Sequence, residues 1–516
     1  MLNAQDRKRV TAPVLAVVTA FLVTGLAPFH AAGTEPEMTD LTIGDAVEDQ
    51  LYLDQAVPAY AIEASAKDGI VTLTGTVSNI LAKERAAKIA ETVRGVRAVI
   101  NTITVKPATS PTPMELEKDI VTALEDNPAT KTWEIIPKVD GEGLVTLSGR
   151  VDSWAERELA GKVAKGVRGV TDVRNTIEVD TAEMRSDADI RADIQRSLRW
   201  DALVDHAEIG VTVEDGVVRL GGTVGSASEW RRAAAHAWTA GVKSVDAVQL
   251  VVAKWTRDPT LREGKYVIES EDEVIDAVRR ALELDPRINA ETVDTSMVAG
   301  MIVLRGAVDS VRAKRAATDN ARNTVGVQDV LNRLRVRPEG EQRADADIAE
   351  SVRQALTRDP YVERFEIAVT VTSGVAYLEG AVDSYFEKAR ADDAAAGVAG
   401  VVEVENNVEV RRPDKPYAYD PHRDDIYVYD FDWYGYQPRA TLVSDAVIKR
   451  EVERELWWSP FVDSENITVT VDRGVATLEG TVETWAEHVA ARENAFEAGA
   501  VWVVNDLSIT GQGGDT

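Results

Sequence analysis

Asp215-Gly216-Val217-Val218-Arg219-Leu220-Gly221-Gly222-Thr223-Val224-Gly225-Ser226 is the stretch that decides the fold. Asp-Gly is the chemistry of a tight hairpin turn, whose residues need positive φ. Upstream, Ile209-x-Val211-x-Val213 alternates as a strand. Downstream, the second strand ends at Val224, and two residues on Ser226 is a helix N-cap former. Turn, strand and helix start therefore follow one another within a dozen residues.

The same frame recurs along the chain. A hairpin glycine is followed six residues later by a second one at Gly69/Gly75, Gly143/Gly149, Gly216/Gly222, Gly300/Gly306, Gly374/Gly380 and Gly474/Gly480. Successive second glycines lie 74, 73, 84, 74 and 100 residues apart. Six copies at one internal spacing are a repeat, with inserts at two junctions. Each copy opens with apolar residues at i, i+4, i+8, as in Ile43/Val47/Leu51 and Ile448/Val452/Leu456. That spacing predicts a helix with one buried stripe. After the hairpin, Asn79, Ser153, Ser226, Ser310, Ser384 and Thr484 cap a second helix, four of them with Glu at N3. This helix is expected to stop at Gly95, Gly169, Gly241, Gly326, Gly400 or Gly499. A last strand closes the unit, with Asn at its middle in five copies (Asn101, Asn175, Asn332, Asn406, Asn505) and Ala247 in the other. The fold class read from this is α+β: six tandem α-β-β-α-β modules, each a small mixed sheet with two helices on one face.

The modules span residues 41–107, 112–181, 186–254, 270–338, 343–411 and 441–511. A linker, 255–269, precedes the fourth, and an aromatic and acidic insert, 412–440, precedes the sixth. At the N-terminus Arg7-Lys8-Arg9 precede an apolar run from Val10 to about Phe29. Residues 1–32 thus read as a secretory signal peptide; the alternative is an uncleaved anchor in the inner membrane, since the run approaches the length of a bilayer span. Either way the modules are expected outside the cytoplasm, in the periplasm.

Composition narrows the chemistry. With 58 Lys+Arg against 87 Asp+Glu, the net charge of -29 argues against nucleic acid as a partner. No cysteine is present, which removes disulfides, thiol catalysis and Cys-based metal sites. The five histidines, His30, His206, His236, His422 and His488, are scattered and include no HExxH. No catalytic residue, metal site or cofactor is expected.

The helix stripe, the Asp-Gly-x-Val-x-Leu-x-Gly-x-Val frame, the Ser-capped helix and the closing Gly-Val-x-x-Val-x-Asn resemble the BON domain, found in bacterial osmotically inducible periplasmic proteins. The resemblance covers nearly all of 41–510. It implies an exported, non-enzymatic protein associated with envelope integrity under osmotic stress and with phospholipid.

Candidate contact residues are aromatic. Directly after the second helix's cap stand Ile80, Trp154, Tyr385 and Trp485, with Ala227 and Val311 elsewhere. Such a residue either folds back onto the core or forms a surface tip suited to a membrane interface or a partner groove. Trp457 and Trp458, adjacent on a helix and close to Phe461, point in different directions, so at least one is a contact candidate. The insert gathers six of the chain's 12 tyrosines with Trp433 and several aspartates, without EF-hand spacing. It either packs on a module or docks a partner. All twelve recurrent glycines are assigned as structural turn residues rather than as a phosphate loop, the second of each pair marking a bulge or a close backbone approach. The recurrent Asn reads as a hydrogen-bonding strand or turn residue. Two functions fit: a non-catalytic envelope protein that binds phospholipid or another envelope component through repeated weak contacts, or an assembly protein whose strand edges pair with other proteins of the envelope.

Overall fold

The computed structural model describes residues 38–54, 56–180, 185–253, 270–340, 343–362, 366–411 and 444–509. The leader, the linker and the aromatic insert with Trp433 lie outside them. Helix, hairpin, helix and closing strand follow in the same order six times. In module one these are Asp40–Leu53, Ile62–Lys67 with Ile70–Val77, Ile80–Glu91, and a closing strand in two pieces, Ala98–Asn101 and Thr104–Val105. The closing strand is likewise split in modules two and four and continuous in the others. The hairpin is antiparallel, the closing strand runs parallel to the second, and the second strand is central. Each sheet is mixed, and both helices pack on one of its faces. Among the described residues no helix is long and apolar enough to cross a membrane.

The stripes explain the layering. Ile43, Val47 and Leu51 are buried, as are their counterparts in the other five copies. In module two the stripe Leu116, Ile120 and Leu124 shares one core with Val145, Leu147 and Val151 of the central strand; in module one Val71, Leu73 and Val77 are buried likewise, while Thr74 and Thr76 face outward. Removing such side chains from water supplies most of each module's stability, at about 25 cal/mol per Å² of apolar area. Small second-helix residues such as Ala82, Ala86 and Ala90, all fully buried, let that helix lie close to the sheet.

Polar side chains that recur hold the backbone. Asp68 and Gly69 have φ of 53° and 74°, a two-residue turn twisted to suit the hairpin. The Asp40 carboxylate, at the start of the first helix, accepts the N–H of both at 2.8 and 2.9 Å, and these bonds lower its pKa. Asp187, Asp345 and Asp445 repeat this staple. It steadies Ser373 and Arg473, which hold positive φ without being glycine.

The second glycine of each pair is not a turn residue, which corrects the assignment of Gly75, Gly149, Gly222, Gly306, Gly380 and Gly480. All six lie inside the central strand. Each stands opposite the first residue of its partner strand: Ile62, Ile135, Ile209, Val293, Ile367 and Ile467, respectively. In module one the strand continues past the position to Val77, so the chain does not reverse there. Glycine is required for a different reason. At Gly75, φ is 132° and a Cβ would stand 2.0 Å from the Ala61 carbonyl oxygen. The same clash meets Gly149 at the Glu134 oxygen (2.3 Å), Gly222 at Glu208 (1.9 Å) and Gly306 at Thr292 (2.1 Å). Gly380 meets Glu366 at 1.9 Å and Gly480 meets Asn466 at 2.0 Å. The strand backbones approach too closely there for any side chain.

All six expected N-caps accept the N3 amide. The Asn101 amide donates to the Lys83 carbonyl at 2.7 Å and its oxygen accepts from Ile103, tying the closing strand to the second helix. The other four recurrent Asn make the same bond to the helix. The second helices also depart from expectation. They do not run to the glycine but end earlier, at Glu91, Lys165, His236, Arg322, Ala396 and Glu497. A tight turn follows, closed in module one by Val96 N–H on the Val93 carbonyl, and Gly95 holds φ of 90° within it.

Candidate functional site at the module junctions

The turn after the second helix frees a backbone N–H just before its glycine, and in four copies that N–H leaves its module. Arg94 donates to the Trp458 carbonyl (3.0 Å), Arg168 to Arg358 (2.6 Å), Val325 to Trp200 (2.9 Å) and Ala399 to Asp126 (2.9 Å). Each acceptor closes a first helix: Asp445–Trp458, Asp345–Arg358, Asp187–Trp200 and Pro113–Asp126. Module one thus pairs with six, two with five, and three with four. Between two and five the bond is returned, the pattern of an isologous contact within one chain. An uncapped helix carbonyl meets an uncapped turn amide, so each satisfies the other.

Side chains at these crossings differ. At two–five, Arg358 bonds Asp126 at 2.9 Å, and Arg168 donates to the carbonyls of Asp359 and Val362. A crevice of about 70 Å³ lies there among Asp126, Arg358, Asp359, Arg312 and Arg390. It has room for a few waters, and its arginines are paired, Arg312 with Asp393 and Arg390 with Asp359. At three–four, Asp193 accepts from three arginines: Arg185, Arg196 at 3.0 Å, and Arg280 of module four at 2.6 Å. At one–six the balance is inverted. Arg454 is shared by three carboxylates, Glu451 at 3.1 Å, Glu455 at 3.3 Å and Asp49 of module one at 3.6 Å.

In four copies sideways contacts use the residue after the cap. Ile80 is buried in the core of module two, and Val311 in that of module five. Trp154 is half-buried against module three, its indole N–H donating to the Val242 carbonyl at 3.1 Å and its ring 4.3 Å from Trp238. Arg157 covers the ring at 5.0 Å. Tyr385 is half-buried against the core of module six, and burial raises its phenol pKa. Neither a fold-back onto its own core nor a free tip describes these residues; they are wedges between modules.

The remaining contact candidates fall as follows. Trp457 is half-buried with the Arg94 guanidinium 4.9 Å over its ring, a cation–π contact from module one. Trp458 and Phe461 are buried, Phe461 in the core of module six. Trp485 opens that module's second helix, Trp485–Glu497, and its side chain is outside the described set, as is Trp433. Sequence reasoning missed the polar residue after each first helix: Asp54, Asn127, Asp201, Asp285, Asp359 and Ser459. Each accepts the N–H two residues on. In three copies the carboxylate also pairs with an arginine on the second helix (Arg85, Arg232, Arg390). Its signal was available: a short polar residue recurs three positions beyond the last stripe residue. The junction ions left no such signal, because their partners come from other modules. Among the described residues no group of three or more His, Asp and Glu is placed to hold a metal.

Comparison with known proteins finds the same six modules. The BON domain model matches at 39–107, 115–181, 186–254, 270–338, 344–412 and 444–511. A curated relative, Osmotically-inducible protein Y of Escherichia coli K12, is 41% identical over 130 residues, 24% of this chain and 64% of that protein's length. Two solved structures of CdsD, a structural protein of the type III secretion system of Chlamydia trachomatis, align over 43% and 40% of this chain and 97% and 98% of their own. Their identities are 15% and 16% and their TM-scores 0.12 and 0.11, too low to carry an argument. With six matched modules covering well over half of its length, the chain belongs to the BON domain family.

Proposed function

We propose that this chain is a non-catalytic, exported protein of the cell envelope, tied to osmotic and envelope stress, whose linked modules bind phospholipid or another envelope component. One observation carries the reading. The polar residues and glycines that recur from module to module are occupied in holding backbone: the Asp40 and Asp54 types, the caps, the Asn101 type and the two glycines. Repetition has therefore preserved a scaffold rather than a reactive group, and binding falls to outward surfaces used several times over. The relative's name, osmotically inducible, supports the stress association. Arg7-Lys8-Arg9 and the apolar run after them support export.

A second reading has its own observation. In each described sheet the first and third strands are both edges, and no described strand pairs with another module's sheet. Such edges can add strands from other chains, which would make this an assembly protein. Co-sedimentation with zwitterionic and with anionic vesicles, with and without Ca²⁺, decides between them. Pelleting with vesicles that weakens when residues 413–440 are deleted supports the lipid reading. No pelleting, together with a mass that rises with protein concentration, supports assembly and sinks the first.

A further inference from the structure

The first and last modules meet where their first helices cross, Asp40–Leu53 against Asp445–Trp458. Glu455 lies in that crossing and is 3% exposed. The Gln50 side-chain amide of module one donates to one of its oxygens, and Arg454 donates to the other at 3.3 Å. Arg454 is divided among three acids, so it cannot neutralise Glu455 fully. Around them stand Asp45 and Glu48 on the helix of module one, which add negative charge beside Asp49. Arg450 is bonded to Glu451, and Arg94 is stacked on Trp457. The second helix of module six packs against the first. It brings buried Glu493, paired with Arg492, buried Glu497, and His488, whose burial lowers its pKa. Carboxylates outnumber guanidiniums in this crossing, and Glu455, as buried as any of its acids, is bonded across the junction.

We propose that this crossing is a proton-operated clasp: it holds module one on module six while Glu455 is neutral and loosens when Glu455 ionises. Burial pushes the Glu455 carboxyl up to about 7 in the closed junction, and burial raises Asp49 as well. In an opened junction both would titrate in the usual carboxylate range. The closed state therefore holds the extra proton. Its stabilisation is complete below the usual carboxylate range, is lost as pH climbs to about 7, and changes little above that. The clasp is independent of what the modules bind.

Amide hydrogen exchange on the full chain tests it, with rates at about pH 5 and about pH 8 each divided by the intrinsic rate at that pH. The Arg94 amide, bonded to the Trp458 carbonyl, reports the clasp; the Val325 amide, bonded to the Trp200 carbonyl, reports junction three–four. Arg94 protection should fall roughly a hundredfold between those pH values, tenfold per unit over the interval separating the open and closed carboxyls. Val325 protection should hold. Glu455→Gln keeps a neutral group of the same shape and should leave Arg94 protected at both pH values. Equal wild-type protection of Arg94 at the two pH values, or an undiminished pH response in Glu455→Gln, overturns the clasp.

Discussion

Junctions three–four and one–six use the same backbone bond, a turn amide on the last carbonyl of a first helix. Their charges are opposite. Asp193 is surrounded by three guanidiniums, whereas Arg454 is divided among three carboxylates. The difference shows how a surplus of either sign is tolerated. Arginine does not lose its proton in a protein, so surplus positive charge must stay wet. Arg185, Arg196 and Arg280 keep 24%, 46% and 33% of their side chains exposed. A carboxyl can shed its charge by taking a proton, so Glu455 can be buried at 3% exposure. One fold position thus yields a fixed contact in one place and a titratable one in another.

The largest expected effect breaks the fixed junction. Asp193→Ala leaves three guanidiniums together with no acid between them, at a cost of about 3 kcal/mol. Exchange of the Val325 amide should quicken by two orders of magnitude at every pH, while Arg94 is untouched; an unchanged Val325 would show that Asp193 is dispensable. Next comes Arg454→Ala, which removes the shared cation from three acids. Because Arg454 is about a third exposed, the cost should be nearer 1–2 kcal/mol at about pH 8. It should shrink at about pH 5, where Glu455 is neutral, and a cost equal at both pH values would contradict the charge account. Smallest is Trp457→Ala. Losing its cation–π contact with Arg94 should cost about 1 kcal/mol at either pH. The clasp would be weaker throughout but keep its full pH response, and a lost response would transfer the switch from Glu455 to the aromatic contact.

A fourth substitution sharpens the comparison by testing the wedges, which carry no surplus charge. Trp154→Ala removes a ring that contacts module three and a hydrogen bond to Val242. Exchange at module three's second helix should quicken severalfold, on the order of 1 kcal/mol, with no pH dependence. Unaltered exchange there would mean that the wedge contributes nothing to the stacking of two on three.

Within a module nearly everything was legible in the sequence, because its determinants are local. A stripe at i, i+4, i+8, an Asp-Gly turn and a Ser or Thr cap each act through residues close in the chain. Repetition then turned six weak signals into one strong one. The second glycine was legible as a close approach within the strand frame, but not its pairing, which reaches the closing strand only in modules three, five and six. The structure supplies the atom it approaches, the carbonyl oxygen of Ala61 or its counterpart just before the partner strand. The early end of the second helix was not legible, nor that in four copies the turn amide is satisfied by a carbonyl more than a hundred residues away.

The sequence alone therefore determined the module, its number and its family likeness, since hydrophobic period and capping chemistry are properties of short segments. Only tertiary structure decided which modules face each other. Pairing one with six, two with five and three with four depends on helix ends and ion pairs contributed from distant copies. It also decided that Trp154 and Tyr385 are wedges and that Glu455 is buried. No periodicity along the chain encodes those facts, because burial at a junction is created by the second surface.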